Sequence, residues 1–375
     1  MPGLLPNVDP DGLQEFSVVF TDRSLNHMSA SFQQVMRDIS ETLKGVYKAD
    51  AVVVVPGGGT YGMEAVARQF ANDQKALVIR NGWFSYRWTQ IFEAGNIPSE
   101  HTVLKARQTG NAATAPFAPV AIEEAVARIR QERPALVFAP HVETSSGMIL
   151  PDSYIKALAD AAHEVGGLMV LDCIASGTIW VDMAATGVDI LISAPQKGWS
   201  SSPAAGLVML SNAALARMEE TESSSFALNL KTWHNIMQAY VQGGHAYHAT
   251  LPTDSLKAFR DAMKETEALG WDAIAAAQQA LGGKVRAALK ARGIASVAAA
   301  GFEAPGVVVS YTDDPEIKTG KKFAALGMQI AAGVPLQCDE PEGFSTFRLG
   351  LFGLDKLADV DATVKRLKAA LDQVL

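Results

Sequence analysis

The sequence predicts an α/β protein: a large unit on a mostly parallel sheet of seven strands, then a smaller C-terminal α/β unit. Three observations predict it. Short aliphatic runs alternate with helically spaced segments from residue 51 to about 215, those runs are apolar almost throughout, and a second strand and helix series follows residue 300. Near-continuous apolar strands separated by helices indicate a parallel sheet covered on both faces. Functional residues then belong at the carboxyl ends of the strands.

Taken in order, SASFQQVMRDISETLKGVY (residues 29–47) reads as an amphipathic helix with a serine available as its cap. Strands are expected at AVVVVP, ALVIR, HTVLK, ALVFAP, LMVLD, DILISA and AGLVML, with helices such as EEAVARIRQ and YIKALADAAHEV between them. KAFRDAMKETEAL and DAIAAAQQALGGKVRAALKARG are helical, and a break is expected at residues 265–272. The last unit reads as a strand GVVVSYT, a helix KKFAALGMQIA over residues 321–331, a strand STFRLGLFG and a helix VDATVKRLKAALDQ. The expected division is an N-terminal segment 1–15, a large unit 16–268 and a small unit 269–375.

Composition narrows the function. With 375 residues, 48% of them hydrophobic and 19% charged, the chain can bury a large core. A net charge of −8 without any Lys/Arg-rich run argues against nucleic acid as a partner. No window approaches the roughly 20 uncharged apolar residues that span a bilayer, and the start MPGLLPNVDPDGLQEF lacks a basic, then apolar, leader pattern. No membrane partner and a cytoplasmic location are therefore expected. Two cysteines, Cys173 and Cys338, fit a reducing compartment.

The run Gly57-Gly58-Gly59-Thr60-Tyr61-Gly62 follows a strand, precedes a helix and formally matches GxGxxG. A dinucleotide site also wants an acid at the end of the next strand, where ALVIRNGWF has none; Arg80 keeps a 2′-phosphate reading open. A Walker loop is excluded because no GK[ST] follows. What remains is general: glycines admit an anion to backbone N–H groups at a helix N-terminus, so a phosphate is expected here unless the segment is only a tight turn.

Two further residues change the picture. LMVLDCIAS puts Asp172 at a strand end, and DILISAPQKGWSSSP puts Lys197 just past another. A lysine to bond an aldehyde, an acid to keep a pyridine nitrogen protonated and a phosphate loop are what pyridoxal phosphate (PLP) needs. Read singly, the aspartate is as well explained as a helix cap and the lysine as a solvated loop residue.

The segment SAPQKGWSSSPAAGLVMLS resembles the lysine segment of class V PLP-dependent aminotransferases, in particular the alanine–glyoxylate and serine–pyruvate aminotransferase family. The resemblance extends over most of the chain through PGGGTYGMEAV, NGWFSYR, HVETSSGMILP, the DCIAS segment, the Gln-Lys pair, YHATLP and RLGL, in the family's order. It implies a PLP-dependent transferase of fold type I and a transaminase that moves the amino group of a small amino acid, alanine or serine, to glyoxylate or pyruvate.

By the same resemblance Gly58, Gly59 and Thr60 bind the cofactor phosphate, with Gln196 beside it. Phe84 stacks on the pyridine ring, Thr144 lies near its 3′ oxygen, Asp172 pairs with its nitrogen, Ile174 packs under it and Lys197 bonds it. Tyr247 and Thr250 reach the phosphate of a neighbouring subunit's cofactor, which implies a homodimer with shared sites. Arg348 clamps the substrate carboxylate with its planar fork; its apolar neighbours Phe347 and Leu349 mark it as a costly cation in a buried strand. His245 and His248 come without a metal-binding motif, so no metal is expected.

The start departs from the family's pattern. Where members carry a Gly-Pro-rich entry segment, this chain has LLPNVDPDGLQEFSVVFTDRSLNHMSASF, of which only HMSASF resembles the family's HRS-x-x-F. Two rival readings stand beside the transaminase. One is a cysteine desulfurase or β-lyase using Cys338, ten residues before Arg348; against it, Gln196 occupies the place where desulfurases carry His. The other is a non-enzymatic PLP-binding protein, for which no attached DNA-binding module is found.

Overall fold

A computed structural model describes residue 9 and residues 12–375 of the chain, so most of the expected 1–15 segment lies outside the described residues. The seven expected strands form one sheet: β1 (Ala51–Pro56), β2 (Lys75–Arg80), β3 (Glu100–Lys105), β4 (Leu136–Pro140), β5 (Leu168–Asp172), β6 (Ile190–Ser193) and β7 (Ala205–Leu210). Their spatial order is β1-β7-β6-β5-β4-β2-β3. β7 runs antiparallel to both its neighbours; every other pair is parallel. Six of the seven strands therefore end at the same edge.

The strands were readable because both faces are covered. Val52, Val53, Val54 and Val55 are all buried, as are Leu168 to Asp172. Apolar side chains on both faces leave no polar alternation, and this is how a sandwiched strand differs from a half-exposed one. Helix α1 (Ala30–Tyr47) starts where Ser29 accepts a hydrogen bond from Phe32 N and buries Phe32, Val35, Met36, Ile39 and Leu43 against this core. Helices α2 (Gly59–Phe70) and α3 (Trp83–Gly95) follow β1 and β2 directly.

Gly270, at φ +86°, separates the helix Thr253–Leu269 from the helix Trp271–Lys290. Phe259 and Met263 before the break belong to the large core. Ile274, Leu281 and Val285 after it pack with Phe323, Phe347, Leu349 and Leu371 in a second cluster. There a three-stranded antiparallel sheet forms from β8 (Val307–Tyr311), β9 (Ala331–Ala332) and β10 (Thr346–Gly350), with β10 central.

One expected element is corrected. The helix expected over residues 321–331 is a short piece, Lys321–Ala325. Gly327 takes φ +73°, which only glycine adopts without strain, and the chain turns to put Ala331–Ala332 on the edge of β10. Pairing with the sheet overrides the local helical pattern.

Candidate active site

The candidate residues follow the carboxyl ends of strands that point the same way. Gly58, Gly59 and Thr60 follow β1, Phe84 follows β2, Thr144 follows β4, Asp172 closes β5, and Gln196 and Lys197 follow β6. In the sheet Asp172 is paired with Pro140 on one side and Ile192 on the other. The chain crossing from β5 to β6 thus brings the acid and the lysine to one edge.

Lys197 is held by its neighbours in sequence. Trp199 is fully buried and packs on Trp180 at 4.7 Å, on Trp271 at 5.9 Å and on Phe259 at 6.0 Å, anchoring the loop two residues past the lysine. Lys197 Nζ lies 5.6 Å from the Phe352 ring centroid. Burial, with Arg348 and Arg87 next, pulls the amine below the usual lysine value. That favours the neutral, nucleophilic form.

Asp172 is buried and accepts a single hydrogen bond, from Ile174 N at 2.9 Å. Burial pushes its carboxyl up to about 7, because one backbone donor does not offset the lost solvation. Ile174 also covers Gly59: a Cβ on that glycine would lie 2.8 Å from Ile174 Cγ1. Gln196 Oε1 is buried and, among the described residues, has no hydrogen-bond partner.

The aromatic wall depends on a residue that the sequence left without a role. Glu143, in HVETSSG, is fully buried and accepts from Phe84 N at 3.1 Å and Ser85 N at 2.8 Å. Ser145 Oγ, bonded to Glu143 at 2.8 Å, accepts from Trp83 N at 2.8 Å. The start of α3 is thereby capped from another strand, and its partial positive charge stabilises the carboxylate. Gly82 makes room for this: a Cβ there would lie 2.7 Å from Glu143 Cγ.

Two guanidinium groups approach the Phe84 ring, Arg87 with Cζ at 5.2 Å and Arg348 with Cζ at 5.6 Å. Arg348 is half-buried in β10, between buried Phe347 and Leu349, and its Nε donates to Ala332 O at 2.8 Å. Among the described residues its two Nη groups donate to nothing, leaving a fork open. Thr144 is buried beside Glu143.

Tyr247 and Thr250 are not brought to the others. Both are exposed, with Tyr247 Oη 3.1 Å from Thr250 Oγ1 and the Tyr247 ring 5.5 Å from that of His27. Arg80 is buried and donates to Thr89 Oγ1 at 2.9 Å and Gln337 O at 3.3 Å, over the Tyr86 ring. Cys338 is also buried; its thiol donates to Arg80 O at 3.4 Å, and burial pushes its pKa up to about 12. A thiol in that state is a poor nucleophile. A cavity of about 1020 Å³ beside Tyr311, Arg292 and Leu375 contains none of these residues. Among the described residues no cluster of His, Cys, Asp or Glu is arranged to hold a metal, and no helix is long and apolar enough to cross a membrane.

A strand-end acid, a loop lysine and a glycine-started helix on one edge of such a sheet define a PLP-dependent transferase of fold type I. The family model for class V aminotransferases matches residues 13–308, and the chain belongs to that family. It is 28% identical over 351 residues to a 2-aminoethylphosphonate–pyruvate transaminase of Paraburkholderia phymatum, covering 92% of this chain and 89% of the relative. Among solved structures it is similar to an aspartate aminotransferase of subgroup IV from Thermus thermophilus (TM-score 0.76, 23% identity, 94% of each chain). It is also similar to an alanine–glyoxylate aminotransferase from Nostoc sp. (TM-score 0.75, 22% identity, 93% of this chain and 88% of that one).

The protein is thus a PLP-dependent aminotransferase that passes an amino group to a 2-oxo acid. The residues present fit the cofactor. Among the described residues Asp172 is a buried acid without an ion-pair partner, and Gly59 leaves a surface on Ile174 that a side chain would fill.

Proposed function

We propose that the enzyme takes its amino group from a small amino acid, alanine or serine, and delivers it to pyruvate or glyoxylate, as a cytoplasmic homodimer with shared sites. The observation that carries this reading is the charge pattern around Lys197, with one acid at the strand end and one open guanidinium beside Phe84. The relative named for pyruvate supports that acceptor. We further read the chain as dividing at Gly270 into a cofactor-binding unit and a smaller one that carries Arg348.

Bound PLP supplies an aldehyde that exchanges amino groups and a ring that accepts the electron pair released at the substrate Cα. Lys197 Nζ, kept neutral more readily by burial, would hold the cofactor at that aldehyde and, once free, would carry the substrate Cα proton. Asp172 would hold a proton on the ring nitrogen, and a positive charge there would offset the burial that raises the carboxyl to about 7. Gly58, Gly59, Thr60 and the Gln196 side-chain N–H would hold the phosphate, and Phe84, Ile174 and Thr144 would hold the ring. The open fork of Arg348 takes the substrate carboxylate in two parallel hydrogen bonds. Tyr247 and Thr250, exposed here, serve the second subunit's site.

The test is a half-reaction screen. Purified protein is mixed with alanine, serine or 2-aminoethylphosphonate and followed by cofactor absorbance, then returned with pyruvate or glyoxylate. Conversion by alanine or serine with either acceptor is expected. Turnover with the aminophosphonate alone would reject the proposed donor.

A further inference from the structure

Arg87 is a half-buried cation that acts on Asp172 only from beyond ion-pair distance. Among the described residues it forms no ion pair, and its Nη1 donates to a neutral hydroxyl, Thr60 Oγ1, at 3.0 Å. It lies one turn after Phe84 in α3, so both project from the same face of that helix. Thr60 stands in the first turn of α2, where Gly58 provides no side-chain cap. The first N–H groups of that helix are left for an outside acceptor. Arg87 therefore reaches across from the aromatic wall to the glycine loop.

One anion at the site is still without a cation. A phosphate ester carries close to two negative charges, and a helix N-terminus offsets about half of one. Lys197 is needed at the aldehyde and Arg348 at the substrate carboxylate. We propose that Arg87 is a cofactor-phosphate residue, its guanidinium joining Thr60 and the start of α2 around the oxyanion. The proposal rests on the reading that the glycine loop takes PLP's phosphate.

Apoenzyme is titrated with PLP and with pyridoxal, which lacks the phosphate, for the wild type, Arg87→Met and Arg87→Lys, with thermal melts to establish folding. Loss of a charge-assisted hydrogen bond should weaken PLP binding by about tenfold to a hundredfold in Arg87→Met and less in Arg87→Lys. Pyridoxal binding should change less than about twofold, and inorganic phosphate should compete with PLP less well in Arg87→Met than in the wild type. Equal weakening for both ligands would mean that Arg87 acts on the ring through Phe84, and would overturn the proposal. So would unchanged PLP binding, including the case where only the KM of a phosphonate-bearing donor rises. A wild type that binds PLP no better than pyridoxal would instead reject the phosphate-loop reading itself.

Discussion

Gly59 and Ile174 touch across the site: a Cβ added to the glycine would lie 2.8 Å from Ile174 Cγ1. Gly59→Ala therefore has to push the isoleucine side chain, which is only half-buried. Overpacking of this kind costs about 1–3 kcal/mol. PLP affinity should fall by about tenfold, and the apoprotein should melt a few degrees lower. A lower melting temperature with unchanged PLP affinity would show that the glycine serves packing alone.

If Asp172 holds the ring nitrogen as proposed, Asp172→Asn removes the charge that keeps it protonated, and Cα proton removal should slow by orders of magnitude in a folded protein. The same change has an opposite effect on the apoprotein. A carboxyl raised to about 7 contributes stability that is complete below its unfolded value of roughly 3.9 and is lost as pH rises through 7. Apo Asp172→Asn should thus melt higher than the wild type at pH 8, with the difference shrinking toward pH 4. Melting curves across that range decide it; a constant difference would contradict the buried, unpartnered state.

Arg348→Lys keeps the charge but loses the planar fork. The KM for amino and oxo acids alike should rise by about tenfold to a hundredfold, the equivalent of roughly 1.5–3 kcal/mol. Steady-state kinetics with both substrates test this. A rise confined to one substrate would assign Arg348 to a side chain rather than to the shared carboxylate.

His163 Nε2 lies 2.7 Å from buried Asp189 Oδ2, which also accepts from Met169 N at 2.8 Å. The hydrogen bond to Asp189 raises the histidine above its usual value. A raised histidine contributes stability that is full below about 6.5 and lost as pH climbs through its folded value. His163 is partly exposed, so the contribution is at most about 1 kcal/mol. His163→Gln should lower the melting temperature at pH 6 more than at pH 8.5. An equal loss at both would mean that the neutral hydrogen bond carries the whole effect.

The sheet was legible because burial on both faces writes itself as uninterrupted aliphatic runs, and so was the placement of Asp172 at the end of one run and of Lys197 just beyond another. Strand order was not legible, since nothing in AVVVVP names AGLVML as its partner. Glu143 and Arg87 stood in quoted segments, HVETSSG and NGWFSYR, without roles. Their meaning depends on what folding places opposite: two N–H groups of α3 for one, Thr60 for the other. The short piece Lys321–Ala325 illustrates the reverse, a helical pattern overruled by a sheet edge.

The pairing of Ala51 with Leu210 also sets an order of events while the chain is being made. β1 is translated early, but among the described residues its one neighbour in the sheet is β7, so it cannot join the sheet until the ribosome has passed Leu210. Closing so long a loop is slow, and an aliphatic segment waiting for its partner is open to misassociation. The glycine turn that follows β1 is then among the last parts of the large sheet to gain its final form. Nascent chains halted before β7 should therefore fail to retain PLP, whereas those released after it can.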